Sequence, residues 1–251
     1  MSNTVEMSGE AVTRTKIEWC DYTINPVKGK CPMGCSYCYA RRMYDRFKWN
    51  PEIRWYPPAF DLLDKLKKPS RIFVGSTMEL FHPSLPENWM EYNLGIAKKY
   101  PQHTFIFLTK CPENLHRWSP FPANAYVGVS VTNQGQYEKA IFYLKDVEAK
   151  VKFLSFEPLL ERIPLHFADY ICEDVRGINL VIIGQQTPPS KKTEPKTEWI
   201  KEIVEACDEA GIPVFLKDNL ISPSLLNANT ADWAFGRLHH NWHRIRQDFP
   251  E

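Results

Sequence analysis

Short apolar runs, rich in β-branched and aromatic residues, recur along the chain. Most of these runs are nearly continuous in hydrophobicity, whereas a strand with one face in water alternates apolar and polar residues. Continuous apolar strands are typical of a parallel sheet that is covered on both faces. The sequence therefore predicts buried strands at Ile17–Tyr22, Arg71–Gly75, Thr104–Leu108, Tyr126–Val131, Val151–Phe156, Leu180–Gly184 and Pro213–Leu216.

Amphipathic segments separate the apolar runs. They carry apolar residues at spacings of three and four with charged residues between them, which is the pattern of a helix with one buried face. The last segment is followed by Gly211 and Pro213, a combination that ends a helix. The helices predicted in this way span Tyr39–Lys48, Glu87–Lys99, Gln134–Lys145 and Glu198–Ala210.

The alternation of strands and helices predicts an α/β fold of six or seven βα units. A full or partial barrel is favoured over an open doubly wound sheet, because no G-x-G-x-x-G motif follows the first strand. Both architectures place ligands at the carboxyl ends of the strands. Site residues are therefore expected just after the apolar runs.

One hydrophobic core accounts for the 251 residues, since single α/β domains of about 200–250 residues are common. Two loop-like stretches, Asn50–Pro58 and Gln185–Lys196, interrupt the pattern, but neither is long enough to mark a domain boundary. We expect a flexible N-terminal segment over 1–15, one barrel domain over 16–218, and a C-terminal cap or extension over 219–251.

Composition narrows the choice of partners and compartment. The 31 Lys and Arg residues nearly balance the 30 Asp and Glu residues, so the formal net charge is +1 and no global field attracts nucleic acid or an anionic membrane. A local basic patch stays compatible with this balance. No apolar run approaches the roughly 20 residues that span a bilayer, and the first fifteen residues are polar. The sequence therefore predicts a soluble cytoplasmic protein with no membrane partner.

Three of the seven cysteines crowd into one short segment, which points to metal binding. Cys31, Cys35 and Cys38 follow the first predicted strand and precede the first predicted helix, and Gly34 permits a tight turn between them. The Cys-x3-Cys-x2-Cys spacing lets three thiolates wrap around one corner of a 4Fe-4S cluster and leaves one iron open. A cofactor can bind that iron, as the amino and carboxylate groups of S-adenosylmethionine (SAM) do.

Two other interpretations of these cysteines stay open. A Cys3His zinc site could be completed by His82 or by a histidine near the C-terminus, although the second knuckle that most zinc fingers carry is missing. The thiols could also hold a purely structural cluster. The scattered Cys172 and Cys207 are interpreted as small buried hydrophobes.

The cysteine segment resembles the radical SAM superfamily, whose defining motif is this spacing with an aromatic residue, here Tyr37, just before the third cysteine. More closely, the chain is similar to a phage- and prokaryote-associated radical-SAM-like family of unassigned function, and distantly to spore photoproduct lyase. The shared segments are Lys16–Trp19, Asn25–Pro26, Cys35–Ala40, Leu80–Pro83, Leu108–Lys110, Gly128–Val131, Ser155–Leu160 and Val214–Lys217. The resemblance implies a partial (β/α)6 TIM-like barrel, a 4Fe-4S cluster, SAM as cofactor, and hydrogen abstraction from a substrate by a 5′-deoxyadenosyl radical.

The resemblance also implies which strand ends hold SAM. In the superfamily, a loop after the second strand contacts the SAM amino group, polar residues after the fourth contact its carboxylate or ribose, and groups after the sixth meet adenine. A carboxylate after the fifth strand, here Glu157, could accept from ribose hydroxyls or pair with Lys110 or Arg162. The residues expected at the cofactor are Tyr37, Gly75, Ser76, Glu79, Ser130, Thr132, Glu157, Ile183 and Gly184.

Catalytic contacts to the substrate are expected from two lysines and one cysteine that follow strands. Lys110 and Lys217 favour an anionic substrate group or the SAM carboxylate, with ordinary salt bridges as the alternative. Cys111 could act as a hydrogen-atom donor or radical partner. We expect a nucleotide- or nucleic-acid-derived substrate and a flavodoxin- or ferredoxin-type electron donor. Modification of a small molecule or peptide, and a non-catalytic zinc-bearing nucleic-acid-binding protein, are the alternatives.

Overall fold

The computed structural model describes residues 14–165, 177–220 and 246–250. Its strands are β1 (Tyr22–Ile24), β2 (Val27–Lys28), β3 (Arg54–Trp55), β4 (Arg71–Val74), β5 (Thr104–Thr109), β6 (Ala125–Ser130), β7 (Val151–Phe156), β8 (Ile178–Ile183) and β9 (Val214–Leu216). Seven of them form one sheet in the order β1-β4-β5-β6-β7-β8-β9, while β2 and β3 form a separate ribbon. The sheet therefore follows chain order, and the fold is mixed α/β, as the apolar runs predict.

The described α-helices are α1 (Tyr39–Phe47), α2 (Asp61–Lys65), α3 (Glu87–Lys99), α4 (Gln134–Leu144) and α5 (Thr197–Ala210). Four of them match the predicted helices to within one residue at each end, whereas α2 was not predicted. The connection from β5 to β6 contains a 3-10 helix, Pro112–Trp118, in place of an α-helix. Within the described residues, no helix is both long enough and apolar enough to cross a membrane.

The first compact unit comprises the described residues up to Val127 together with 148–150. Its strands β1, β4 and β5 pair in parallel, with Ile24 opposite Val74 and Val74 opposite Phe107. The apolar side chains of β4 and β5 are buried, and Phe105 and Phe107 are fully so. Burial of consecutive residues explains why these strands are continuous rather than alternating in sequence.

The first predicted strand, Ile17–Tyr22, is largely wrong, because β1 begins only at Tyr22. The preceding residues form a turn in which the Cys20 N–H donates to the Ile17 carbonyl oxygen at 3.2 Å. Trp19 is buried against Phe73, with ring centroids 4.7 Å apart. These residues are apolar because they cover the sheet, not because they belong to it.

The predicted Asn50–Pro58 loop contains β3, so that part of the prediction is also wrong. β2 and β3 run antiparallel, with Val27 opposite Trp55 and Lys28 opposite Arg54. Trp55 anchors the ribbon by stacking on Trp89 at a centroid distance of 5.6 Å. Strands of two residues are too short for a periodicity of two to reveal them.

The second compact unit comprises 128–147 and the described residues from Val151 onward. Its strands β7, β8 and β9 pair in parallel, and α5 ends at Gly211, which adopts a left-handed conformation. Gly128 lies against the Phe153 ring so closely that a Cβ would come within 2.3 Å of it. This unit therefore contains the second half of the predicted βα repeat.

Only part of the predicted cap over 219–251 can be described, since 221–245 and 251 lie outside the described residues. The predicted flexible segment over 1–15 lies almost wholly outside them too. Residues 246–250 lie along β9, where Gln247 forms an antiparallel bridge with Phe215. The Leu216 N–H donates to the Arg246 carbonyl oxygen at 2.8 Å, and the Asp248 N–H donates to that of Val214 at 3.0 Å.

Candidate metal and cofactor site

The three-cysteine segment forms the loop between β2 and α1. Gly34 adopts a left-handed conformation, with φ of +65°, and turns the backbone between Cys31 and Cys35. Cys38 is the N-cap of α1, and its Sγ accepts a hydrogen bond from the Arg41 N–H at 3.4 Å. All three cysteines are free and partly exposed. The loop therefore presents its thiols at the start of a helix, where negative charge is stabilised.

The Arg41 guanidinium donates to the Cys31 carbonyl oxygen at 2.9 Å. Burial raises the pKa of the Cys31 thiol, whereas the nearby backbone N–H groups of Met33 and Glu79 lower it. The charges of Glu79 and Cys38 add to the rise. A bound metal cation would reverse this balance and favour the thiolate.

The chemistry of this donor set fits an iron–sulfur cluster. Such clusters are bound by thiolates, and the loop supplies three within eight residues, of which Cys38 accepts a hydrogen bond from the Arg41 N–H. Across the part of the chain that the structure describes, no three or more His, Cys, Asp or Glu side chains are already arranged to hold a metal ion. The thiols would therefore turn toward a shared centre on binding.

Of the histidines that the zinc alternative invokes, His82 lies within the described residues. Its Nδ1 lies 2.8 Å from Ser84 Oγ and also accepts from the Ser84 N–H, so these contacts engage one of its two ring nitrogens. The histidines near the C-terminus, His239, His240 and His243, lie outside the described residues.

Glu79, in the loop after β4, is a buried carboxylate with neutral partners. Its Oε1 accepts from the Phe81 N–H at 3.1 Å and from the Thr109 hydroxyl at 2.6 Å, and its Oε2 accepts from the Lys110 N–H at 2.7 Å. Burial raises the pKa of Glu79 in spite of these hydrogen bonds, which lower it. The carboxylate thus ties the β4 loop to the end of β5, next to Cys31.

Asn25 organises the rest of the β4 loop and was missed as a site residue. Its side-chain oxygen accepts from the Thr77 N–H and from the Thr77 hydroxyl, both at 3.1 Å, and its amide donates to Ser76 Oγ at 3.1 Å. Tyr39, at the start of α1, donates to the Ser76 carbonyl oxygen at 3.3 Å. The signal was present in the sequence, because Asn25 directly follows β1, where a ligand-contacting residue of a parallel sheet is expected.

Cys111 lies against the cysteine loop. Its Sγ is 3.5 Å from Met33 Sδ, its side chain is buried, and its N–H donates to Thr109 Oγ1 at 2.8 Å. Lys110 precedes it and is partly exposed. The structure therefore brings Cys111, Glu79 and the three-cysteine loop together within the first unit. Tyr37 is partly exposed, and its carbonyl oxygen accepts from Arg42 at 3.2 Å.

In the second unit, the predicted hydroxyl residues lie at strand ends and are buried. The Thr132 hydroxyl donates to Gln136 Oε1 at 3.0 Å, and the Thr132 N–H donates to the same oxygen at 2.8 Å. Ser130, two residues earlier at the end of β6, is also buried. The Gln136 side chain at the start of α4 is therefore the present acceptor for Thr132.

Glu157 and Lys217 form an ion pair at the ends of β7 and β9. Lys217 Nζ lies 2.8 Å from Glu157 Oε2, and the Ser155 hydroxyl donates to Glu157 Oε1 at 3.2 Å. The two charged side chains are 13% and 16% exposed, so the pair is largely withdrawn from water. Of the two partners predicted for Glu157, Arg162 pairs instead with Glu202 at 2.8 Å.

Gly184 lies between these two side chains. A Cβ there would come within 2.8 Å of Lys217 Cδ and 3.3 Å of Glu157 Cγ. Its N–H donates to the Phe156 carbonyl oxygen at 3.1 Å, and the Lys217 N–H donates to the Ile183 carbonyl oxygen at 3.0 Å. The backbone groups of Ile183 and Gly184 that are expected at adenine are thus engaged in hydrogen bonds within the sheet.

The remaining described cysteines behave as apolar groups. Cys207 in α5 is fully buried, and burial raises the pKa of its thiol to about 12. Cys20 is buried beside the Ile17 carbonyl oxygen. Cys172 lies outside the described residues. The prediction that Cys207 is a small buried hydrophobe is confirmed.

These observations define an α/β protein with a parallel sheet in chain order. It carries a three-cysteine loop before its first helix and polar side chains after its strands. The chain belongs to DUF5131, a family described as proteins of unknown function, whose model matches residues 14–224. The match covers the cysteine loop, Glu79 with its partners, and the Glu157–Lys217 pair. No curated protein and no solved structure matches the chain.

Proposed function

We propose that this protein is a cytoplasmic radical SAM enzyme built on a partial (β/α)6 TIM-like barrel. The observation that carries the proposal is the loop between β2 and α1. There, Cys38 caps the helix, its Sγ accepts from the Arg41 N–H at 3.4 Å, and Gly34 turns the backbone between the thiols. A buried strand-end carboxylate, Glu79, lies next to this loop.

The 4Fe-4S cluster, when bound and reduced, supplies the electron that cleaves SAM to methionine and a 5′-deoxyadenosyl radical, which takes a hydrogen atom from the substrate. Cys31, Cys35 and Cys38 hold that cluster. The helix start behind Cys38 stabilises thiolate charge there. A flavodoxin- or ferredoxin-type protein delivers the electron in this proposal.

Within the first unit, Tyr37, Gly75 and Ser76 contact SAM. Glu79 accepts from two backbone N–H groups and from the Thr109 hydroxyl, so it positions the β4 loop in this proposal. Its expected contact with SAM stays a prediction. Cys111 lies in contact with Met33 of the cysteine loop, a place from which a thiol could donate a hydrogen atom to a nearby radical.

Within the second unit, Ser130, Thr132, Ile183 and Gly184 are the residues that we expect to contact SAM. The Glu157–Lys217 ion pair can open so that the carboxylate accepts from ribose hydroxyls and the ammonium binds a carboxylate or phosphate. Such an ammonium favours an anionic substrate of nucleotide or nucleic-acid origin, and Lys110 offers the same chemistry within the first unit.

The proposal is tested by anaerobic reconstitution with iron and sulfide, followed by dithionite reduction in the presence of SAM and chromatography for 5′-deoxyadenosine. Wild type should form 5′-deoxyadenosine and Cys35→Ala should not, because the cluster loses a thiolate. Cys207→Ala is the matched control, since it removes a buried thiol from α5. Stoichiometric zinc, or an iron–sulfur cluster that is inert toward SAM, would contradict the proposal and favour a zinc-bearing or structural-cluster protein.

A further inference from the structure

Two cations face each other on the β2–β3 ribbon. Lys28 and Arg54 are directly opposite in the antiparallel register, an arrangement in which like charges repel. Within the described residues, neither side chain has a carboxylate within salt-bridge distance. The ribbon therefore carries a pair of positive charges that a bound anion would stabilise.

The surroundings of Lys28 support this point. Its pKa is lowered, first by partial burial and then by the Arg54 charge. Its Nζ lies 4.9 Å from the centre of the Tyr56 ring. Stacking of Trp55 on Trp89 and on the edge of Tyr92 holds the ribbon in place. Lys28 and Arg54 therefore lie on a ribbon that is packed against α3 through Trp55.

The end of α1 adds two exposed aromatic rings between further cations. Phe47 and Trp49 stack on each other at a centroid distance of 5.4 Å and an angle of 24°, yet they are 52% and 40% exposed. Arg46 lies over the Phe47 ring at 5.3 Å, and Lys48 separates the two rings in the chain. Two large stacked rings left open to water mark an interaction surface.

Contacts between the helix and the ribbon join these features into one surface. The Gly29 N–H, between β2 and the cysteine loop, donates to the Tyr44 hydroxyl at 2.8 Å, and Tyr44 packs edge-on against Trp49 at 5.4 Å. Lys30 pairs with Asp45 of α1 at 2.6 Å. We call Lys28, Arg46, Phe47, Lys48, Trp49 and Arg54 the ribbon–helix surface.

The local charge is strongly positive in a chain that is nearly neutral overall. Residues 28–55 contain seven Lys and Arg residues against two acidic ones, a net charge of +5, whereas the whole chain has a net charge of +1. One of the two acidic residues, Asp45, is already paired with Lys30. Positive charge is therefore concentrated around the cysteine loop.

We propose that the ribbon–helix surface binds single-stranded nucleic acid. Cations separated by exposed aromatic rings match a polymer of phosphates and bases, because bases stack on rings while the phosphates contact Lys and Arg. An acidic protein would use the charges but would not need two open, mutually stacked rings. The inference deepens the proposed function and rests on it for the substrate class, whereas the binding itself requires neither SAM nor an electron.

Fluorescence anisotropy tests the inference with labelled oligo-dT and oligo-U of about 15 nucleotides, a length within reach of one such surface. The anaerobically reconstituted protein should bind both, and less tightly as salt rises from about 50 to 200 mM. The Phe47→Ala/Trp49→Ala variant should raise the Kd about tenfold at each salt concentration, because base stacking is lost. Arg54→Ala should reduce the slope of log Kd against log salt by about one phosphate contact.

Phe142 and Lys145 provide the matched control. Phe142 is 59% exposed, and Lys145 Nζ lies 5.1 Å from its ring centre, so this pair offers the same chemistry in the second unit. Phe142→Ala and Lys145→Ala should leave oligonucleotide binding unchanged. Circular dichroism melting of every variant checks that the fold is intact.

The outcomes separate the inference from the proposed function. Formation of 5′-deoxyadenosine without salt-dependent oligonucleotide binding would overturn the inference and leave the radical SAM proposal standing. Oligonucleotide binding without formation of 5′-deoxyadenosine would support the inference and contradict the radical SAM proposal. An equal loss of binding in Phe142→Ala would also overturn it. The inference would also be overturned if the surface bound a flavodoxin and not the oligonucleotide. In that case, the Phe47, Trp49 and Arg54 substitutions would weaken flavodoxin binding.

Discussion

Glu79 in the first unit and Glu157 in the second are both carboxylates that follow a parallel strand, but they are held in opposite ways. Glu79 is 6% exposed and accepts hydrogen bonds from two backbone N–H groups and the Thr109 hydroxyl. Glu157 is partly exposed and pairs with the Lys217 ammonium and the Ser155 hydroxyl. The same residue type after a strand is thus stabilised by neutral hydrogen-bond donors in one unit and by a charged side chain in the other.

The difference separates a structural carboxylate from one that can change partners. Backbone N–H groups are fixed by the chain that carries them, so Glu79 cannot exchange its partners without unfolding its loop. A lysine side chain has several rotatable bonds and can move to a ligand that offers a better anion. In the proposed function, Glu79 therefore positions its loop and the Glu157–Lys217 pair contacts the ligand.

Replacing Glu79 by Ala should give the largest effect. Buried donors that lose their acceptor cost about 1–3 kcal/mol each, so we expect the free energy of unfolding to fall by about 3–5 kcal/mol. Glu79→Gln keeps one carbonyl acceptor and should recover part of that loss. Urea unfolding followed by circular dichroism measures both. A loss below about 1 kcal/mol for Glu79→Ala would remove the structural half of the comparison.

Breaking the Glu157–Lys217 pair should cost less, because both side chains retain some contact with water. We expect Glu157→Gln to lower the free energy of unfolding by about 1–2 kcal/mol, between the values for exposed and buried pairs. The exchanged variant Glu157→Lys/Lys217→Glu should recover more than half of that loss in the same urea experiment. If it recovers nothing, the pair is not held by charge.

The two glycines of the predicted cofactor site should show the smallest difference. Gly75 has φ of +78° and a Cβ there would meet the Leu80 side chain at 2.7 Å, so Gly75→Ala should lower the free energy of unfolding by about 1–2 kcal/mol. Gly184→Ala meets chiefly the flexible Lys217 side chain and should cost less than about 1 kcal/mol. Thermal unfolding compares them. Equal losses would mean that the second unit is as rigid here as the first.

The sequence was informative wherever burial and local periodicity agree. The strands from β4 to β9 overlap the predicted apolar runs because their side chains are buried on both faces, and α3 matches its prediction at both ends. The cysteine loop was also found in place, since Gly34 and a helix start are local features. The predicted strand Ile17–Tyr22 was wrong because its apolar residues form a turn that packs on the sheet. In sequence, such a turn looks like a buried strand.

Partners distant in sequence could not be predicted. Glu157 was expected near Lys110 or Arg162, whereas the structure gives it Lys217, sixty residues further on and on another strand. The neutral environment of Glu79 depends on Thr109, thirty residues away. The order of strands in the sheet determines which strand ends lie close together. The apolar runs alone do not predict that order.

Residues 246–250 have a further consequence for the sheet. β9 is the last strand in the sheet order, and the exposed edge of such a strand presents N–H and C=O groups that can pair with another chain. Gln247 and its neighbours occupy those groups, and Arg246 is secured by Asp208 and Asp248. The protein thereby carries its own protection against edge-to-edge aggregation on this side of the sheet.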